Sequence, residues 1–258
     1  MTSEAGASHD EIIATWIADQ LRDGEIVSAG TNLPVPRAGV LLAHLTSCPN
    51  LQVQLTFYQH NFSDGRDPPP IGLTADGNLR YGAERSTMDH RAGAFNHIRD
   101  IDVFFVGGLQ VDQYGNTNLV GISSKNQELK VRGAGPAGAT SFSAECDRYY
   151  VYMTRHTPEA FVEECDFVST VGPRHRDKLE LPGGGPEKVI SPLGIFRFNH
   201  DGILTLEATM PGIRSREVQE ATGFELSVDK GADSLSGPTA EQLTVLRNKI
   251  DKEGRLRS

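Results

Sequence analysis

The sequence predicts an α/β protein, an open parallel sheet with a mixed edge and helices on both faces. Three observations carry this. Strand-like and helix-like stretches alternate through the first sixty residues at a spacing that suits a parallel sheet with covered faces. The run Ile101–Val106 (IDVFFV) is apolar and rich in β-branched and aromatic residues, the signature of a buried strand. Gly107 and Gly108 stop that strand, and Asp112, Gly115 and Asn116 then supply a turn that needs positive φ.

The elements follow in order. Ser8 and Glu11 form a capping-box pair ahead of Ile12, Ile13, Trp16, Ile17 and Leu21, which share one helical face, and Gly24 is placed to end the helix. A strand Glu25–Ala29 and a turn Gly30-Thr31-Asn32 lead to an apolar helix from about Arg37 to Leu45. Pro49 breaks it. Leu51, Val53, Leu55 and Phe57 then alternate with Gln52, Gln54, Thr56 and Tyr58, as in a strand with one polar face. Asn61–Asp76 carries three consecutive prolines and is either a mobile or a functional loop. Lys130–Ala139 is glycine-rich, Tyr149–Met153 is strand-like, and Phe167–Thr170 is a short apolar run. Pro182–Pro186 (PGGGP) suits a surface turn between strands. Ile195–Phe198 and Ile203–Thr209 form a hairpin around Asn199–Gly202. Leu243, Leu246 and Ile250 share a face of a last helix. Neither repeat nor linker interrupts the chain, so one domain over residues 1–258 is expected.

Composition narrows the function. The 258 residues are 38% hydrophobic, enough for a sizeable core, and the formal net charge of -9 argues against nucleic acid as a partner. No apolar run approaches the roughly 20 residues of a membrane span, and the N-terminus lacks signal-peptide character, so a cytoplasmic, membrane-free protein is expected. Cys48, Cys146 and Cys165 are scattered, which suits buried thiols in a reducing compartment. No His, Asp or Glu set has metal-ligand spacing, and no P-loop or dinucleotide fingerprint occurs.

The run Val106–Asn118 (VGGLQVDQYGNTN) resembles the GGAQID-x-YGN-x-N stretch of the β-type subunits of class I CoA-transferases. The likeness extends along nearly the whole chain. Ala29–Pro34 (AGTNLP) resembles the family's VGTGLP turn, and Arg132–Ala139 (RGAGPAGA) its GSGGANG loop. Leu181–Pro186 lies where the family has another glycine-rich turn, and Ser191–Phe198 and Thr222–Leu226 fit its closing strands. The resemblance implies the CoA-transferase-like form of the predicted sheet and an α-type partner subunit in a heterodimer or heterotetramer. It also implies an acyl-CoA substrate, with coenzyme A as part of that substrate and no tightly bound cofactor.

A thioester carbonyl must be held by backbone N–H groups as negative charge develops on it, and glycines let a backbone approach that closely. By resemblance Gly133, Ala134 and Gly135 take that role; the alternative is a loop packed between strands. Pro136 stands where the family has a glycine and removes one donor. Gly107, Gly108, Gln110, Asn116 and Asn118 follow the carboxyl end of a parallel strand, where open α/β sheets bind ligands. Asn116 alternatively serves only its own turn.

The decisive departure is at the end of the second strand, where the family carries its nucleophilic glutamate in a V-E-S-G type pattern. Here the stretch is LQVQLTFYQHNF. Anchoring on Pro49 puts Thr56 at that place, and no Asp or Glu occurs between Leu33 and Phe62, so a slip of two residues changes nothing. A threonine hydroxyl cannot form the acyl anhydride that a carboxylate forms. His60, just beyond, is a candidate acid or base; Asp64, Asp67, Glu84 and the Asp89-His90 pair are weaker ones. Relatives in this family that lost the glutamate cleave carbon–carbon bonds of acyl-CoAs, in steroid ring opening or methylglutaconyl-CoA decarboxylation. The resemblance therefore implies a β-type subunit of a heteromeric CoA-thioester hydrolase or lyase, ring-opening hydrolysis first. Phe57, Tyr58 and Phe62 suit a bulky acyl group. A true CoA-transferase and a catalytically silent scaffold are the alternatives.

Overall fold

The computed structural model describes residues 6–30, 32–55, 58–60, 71, 85–86, 98–124 and 128–257, with 55, 58–60 and 85–86 described by their backbone. In chain order the elements are α1 (His9–Asp19), β1 (Ile26–Ala29), α2 (Pro34–Leu45), β2 (Gln52–Leu55), β3 (Tyr58–His60) and β4 (Arg85–Ser86). Next come β5 (Val103–Gly107), β6 (Gln110–Asp112), β7 (Thr117–Asn118), β8 (Gly121–Ser123), β9 (Leu129–Arg132), α3 (Ala139–Glu145), β10 (Arg148–Tyr152) and β11 (Phe161–Val162). The chain continues through α4 (Pro173–Leu179), β12 (Pro186–Ser191), β13 (Gly194–Phe198), β14 (Leu204–Thr209), α5 (Ser215–Glu220), β15 (Ser227–Ser234) and α6 (Ala240–Val245). They fall into two compact units, one of residues 1–103 with 235–258, the other of residues 104–234.

In the first unit, Ser8 Oγ accepts from the Glu11 N–H at 3.1 Å and Glu11 Oε2 accepts from the Ser8 N–H at 3.0 Å, the expected capping box. The helix stops at Asp19, where the Gln20 N–H reaches back to Ile17 and Ala18. Gly24 lies beyond, in the following turn with φ of 88°, and does not end the helix as expected. α2 begins three residues earlier than expected, with Pro34 in its first turn, where a missing N–H costs nothing. α2 packs closely on α1: a Cβ on Gly39 would sit 2.6 Å from Ile17 Cγ2. β1 and β2 pair in parallel, Val27 opposite Val53. The alternating strand expected through Phe57 is cut short. β2 ends at Leu55, and β3 runs antiparallel to it with Tyr58 opposite Leu55 and His60 opposite Val53. The last helix buries Leu246 and Ile250, its final turn widened to a π-helix.

The larger sheet of the second unit runs β15-β14-β13-β12-β10-β5. β10–β12 and β14–β15 pair in parallel, while β12–β13 and β13–β14 pair antiparallel, which makes the expected mixed edge. Four of the five residues in each of β5 and β10 are buried, as central strands with covered faces require, and Phe105 stacks on Tyr150 at 5.1 Å. The β13–β14 hairpin closes as expected, the Asn199 side chain accepting from the Asp201 and Ile203 N–H groups. Thr222–Leu226, expected among the closing strands, is instead the turn before β15. Two small sheets accompany the large one, β11-β6-β7 and the separate hairpin β8–β9.

The PGGGP segment joins α4 to β12 and is not a turn between strands. Gly183 and Gly184 donate to the carbonyls of Ala144 and Cys146, at the end of α3. Arg176, buried in α4, fastens the same place by donating to Ser143, Ala144 and Gly183 carbonyls at 2.7, 3.3 and 2.5 Å. Arg176→Met should therefore cost about 2–4 kcal/mol in urea unfolding, because it orphans carbonyls at a helix end. A cost below about 0.5 kcal/mol would show that water serves them equally well.

His156 lies between β10 and β11, stacked on Phe161 at 3.6 Å and bonded through Nδ1 to Ser191 and through Nε2 to Thr222. All three cysteines are buried and unbridged; burial pushes the Cys146 thiol up to about 12 and raises that of Cys165. Among the described residues, no helix is long and apolar enough to cross a membrane.

Candidate functional site

The polar side chains of the VGGLQVDQYGNTN run form a closed network. β5 delivers Gly107 and Gly108 to β6, and the chain reverses into β7 with Gln110 opposite Asn118. At the turn, Asp112 Oδ1 accepts from the Tyr114 and Asn116 N–H groups at 2.9 and 3.1 Å. Its Oδ2 accepts from Asn116 Nδ2 at 2.8 Å and the Cys165 N–H at 3.5 Å. Burial raises the Asp112 pKa, against the opposing pull of these donors. Gly115 takes φ of 78°, and a Cβ there would lie 2.4 Å from the Phe198 ring, so no side chain fits.

The predicted polar residues are buried and engaged. Asn118 donates to Gln110 Oε1 and the Gly121 carbonyl, both at 2.7 Å, and its Oδ1 accepts from Val120 and Gly121. Gln110 donates to Asp166 at 3.3 Å. Asn116 does more than serve its own turn: its Oδ1 accepts from the Gly172 N–H at 2.9 Å and lies 3.0 Å from His175 Nδ1. Asp112, Asn116 and His175 thus form one line.

That line ends in an open cleft of about 720 Å³. Its lining comes from the Asp112–Asn116 turn, from Glu163, Glu164, Val168 and Val171, and from His175, Lys178 and Leu179 of α4. Arg174 covers the Tyr114 ring at 4.9 Å. Nδ1 of His175 donates to Asn116 Oδ1, so Nε2 is the ring nitrogen that this network does not use. The sequence reading missed His175. Gly172-Pro173 was its signal, since a proline at the first helical position puts His175 in the opening turn of α4.

The glycine loop adjoins the same run. The Gly133 and Gly135 N–H groups donate to the Val120 and Leu119 carbonyls at 2.8 and 2.9 Å. Among the described residues no carbonyl accepts from Ala134 N–H, and Pro136 has none to give. Thr56, Phe57, Phe62, Asp64, Asp67, Glu84, Asp89 and His90 lie outside the described residues. The His60 backbone sits beside Val53 in the middle of β2, two positions back from the end of that strand. Among the described residues, no group of three or more His, Cys, Asp and Glu is arranged to hold a metal ion.

No protein-family model matches the chain. Individual proteins do. It is 28% identical to the B-type subunit of glutaconate CoA-transferase from Acidaminococcus fermentans, over 97% of this chain and 95% of that one. Its fold superposes on the glutaconate CoA-transferase structure of that organism with a TM-score of 0.82 at 24% identity, covering 99% of both chains. The chain is a homologue of the B-type CoA-transferase subunits.

Other relatives of the chain do not carry the transferase name. It is 28% identical to the cholesterol ring-cleaving hydrolase IpdB subunit of Rhodococcus jostii RHA1, over 93% of this chain and 91% of that one. Solved structures of the decarboxylase AibA/AibB and of IpdAB from R. jostii RHA1 match the fold with TM-scores of 0.81 and 0.75, at 23% identity and with 97% and 98% of this chain covered.

Proposed function

We propose that this chain is the B-type half of a heteromeric enzyme that hydrolyses a carbon–carbon bond of a cyclic keto acyl-CoA without a glutamyl-CoA intermediate. The observation that carries the proposal is the absence of any Asp or Glu between Leu33 and Phe62. Covalent CoA exchange needs a carboxylate at the end of β2 to attack the thioester. Thr56, at that place in the sequence, offers a hydroxyl.

Kinship supports the rest. The IpdB relative is a ring-cleaving hydrolase subunit, and both IpdAB and AibA/AibB are named as two-component assemblies. In the proposed reaction water adds to a ring carbonyl, the adjacent carbon–carbon bond breaks, and its electron pair is taken up beside the thioester and protonated. The products are a new carboxylate and a ring-opened acyl-CoA. The acid and base come from the A-type partner, with His60 as this chain's candidate. Decarboxylation of an acyl-CoA is the second reading, favoured by the closer structural match to AibA/AibB.

The test is mass spectrometry of acyl-CoA products formed by the complex in ¹⁸O-labelled water. Label in a ring-opened product, independent of added carboxylate acceptors, is the expected result. Acyl exchange that requires an acceptor would sink the proposal. Release of CO₂ without label would favour the second reading.

A further inference from the structure

We propose that the cleft beside α4 docks a second copy of this chain, so that two pairs of the chain and its A-type partner join about a two-fold axis. The inference rests on the CoA-thioester function above for where the A-type partner must sit. It adds a second interface, one that this function does not use.

The cleft faces away from the end of the sheet where ligand is expected. It lies at the amino ends of β12 and β14. Gly115 of its turn packs against the ring of Phe198, the last residue of antiparallel β13, and the Leu204 N–H at the start of β14 donates to the Gln113 carbonyl at 2.8 Å. The carbonyl of Val171, in the lining, accepts from the Tyr149 hydroxyl at 2.8 Å, near the start of β10. Gly107 and Gly108 stand at the opposite end, Gly108 close to Met153, which follows β10. Open α/β sheets bind ligands at the carboxyl ends of their strands, so an A-type partner that supplies acid and base has to reach that end. The cleft is left for another occupant.

Its surface has the make-up of an interface. Val168 and Leu179 line it and are 53% and 57% exposed, and Phe167 beside Val168 is exposed as well. These are three of the six large apolar side chains exposed among the described residues. Together they leave roughly 250–300 Å² in water, more than half of the apolar surface that one side of a standard interface buries. The floor is stiff, because Asp112 holds Asn116 and Asn116 holds Gly172 and His175, so docking has little to order.

Charge selects the second copy. The lining carries Glu163 and Glu164 on the segment after β11 and Lys178 on α4. A two-fold axis through the cleft sets Lys178 of each copy against the two glutamates of the other. Such self-complementarity is what a two-fold contact requires.

The experiment is native mass spectrometry over a dilution series, on the chain assembled with its A-type partner and without substrate. Wild type is compared with Val168→Glu/Leu179→Glu, with Lys178→Glu, and with Lys178→Glu/Glu163→Lys/Glu164→Lys. All these side chains are exposed, so the circular dichroism of each variant should match wild type. Wild type should carry two of each chain and the apolar variant one of each. Lys178→Glu should raise the concentration at which the pairs separate about tenfold or more, and the exchanged charges should restore it. A wild type with one of each chain, or variants that keep the wild-type mass and dilution curve, would overturn the interface. Loss of the A-type chain from the apolar variant would also overturn it, since that partner would then be what covers the cleft. An assembly of two and two that turns over no acyl-CoA removes the functional reading and leaves the interface standing.

Discussion

Asp112→Ala is expected to destabilise the chain by about 3–6 kcal/mol, since three or four donors lose a buried acceptor at once. Those donors are the Tyr114 and Asn116 N–H groups, Asn116 Nδ2 and the Cys165 N–H. In a chain of this size the melting temperature should fall by roughly 6–12 °C. Asp112→Asn keeps one oxygen for the backbone amides but turns an amide group toward Asn116 Nδ2, so it should lose about half as much. Scanning calorimetry of both variants decides the matter. A change below about 1 kcal/mol for the alanine variant would mean that the network is incidental. Loss of the turn should also release His175 from its anchor, although Asn116 remains. The carboxyl is raised above its ordinary range by burial, so it favours the fold most below pH 3.8 and less as pH climbs through its folded pKa. Asp112 therefore does not contribute to acid unfolding.

His156 does. Burial pushes its pKa down to about 3 from 6.5. The unfolded chain takes up this proton readily and the folded chain resists it. Stability from this group is thus complete above pH 6.5 and declines as pH falls toward 3, by up to about 1.4 kcal/mol per pH unit and on the order of 5 kcal/mol in all. The hydrogen bonds are consistent with a neutral ring. Thr222 donates its hydroxyl proton to the Val218 carbonyl at 2.8 Å, so Nε2 donates to Thr222 and Nδ1 accepts from Ser191. His156→Phe should flatten stability between about pH 6.5 and 4 and cost little at about pH 7.5. Ser191 can then turn its single hydroxyl proton to the Gly194 carbonyl, and Thr222 keeps the carbonyl of Val218. If wild type and variant lose stability in parallel as acid is added, another group is responsible.

Local patterns were legible where a local cause decided the structure. The Ser8 capping box, the apolar strand β5 and the Asn199 turn each depend on neighbours in sequence, and each formed as expected. What depended on distant partners was hidden. β15 (SVDKGADS) is polar and contains a glycine; it is a strand because β14 pairs with it. The alternation from Leu51 to Phe57 gives no turn signal, yet the chain has reversed by Tyr58. The site follows the same division. The glycine loop and the motif run were visible from composition, and they do adjoin. His175 was not, because its partner Asn116 is fifty-nine positions away. The lack of a carboxylate near Thr56 needed only the sequence.

The closed network around Asp112, Asn116 and Asn118 bears on how such proteins diverge. Its side-chain oxygens and amides hold β6, β7, Gly172 and Cys165 in place. Selection on the fold alone is enough to preserve them while the reaction changes elsewhere. A search keyed to this run would gather chains by ancestry and shape, transferases and non-transferases alike. On the function proposed above, the residue that follows β2 in the sequence is a better place to sort them by chemistry.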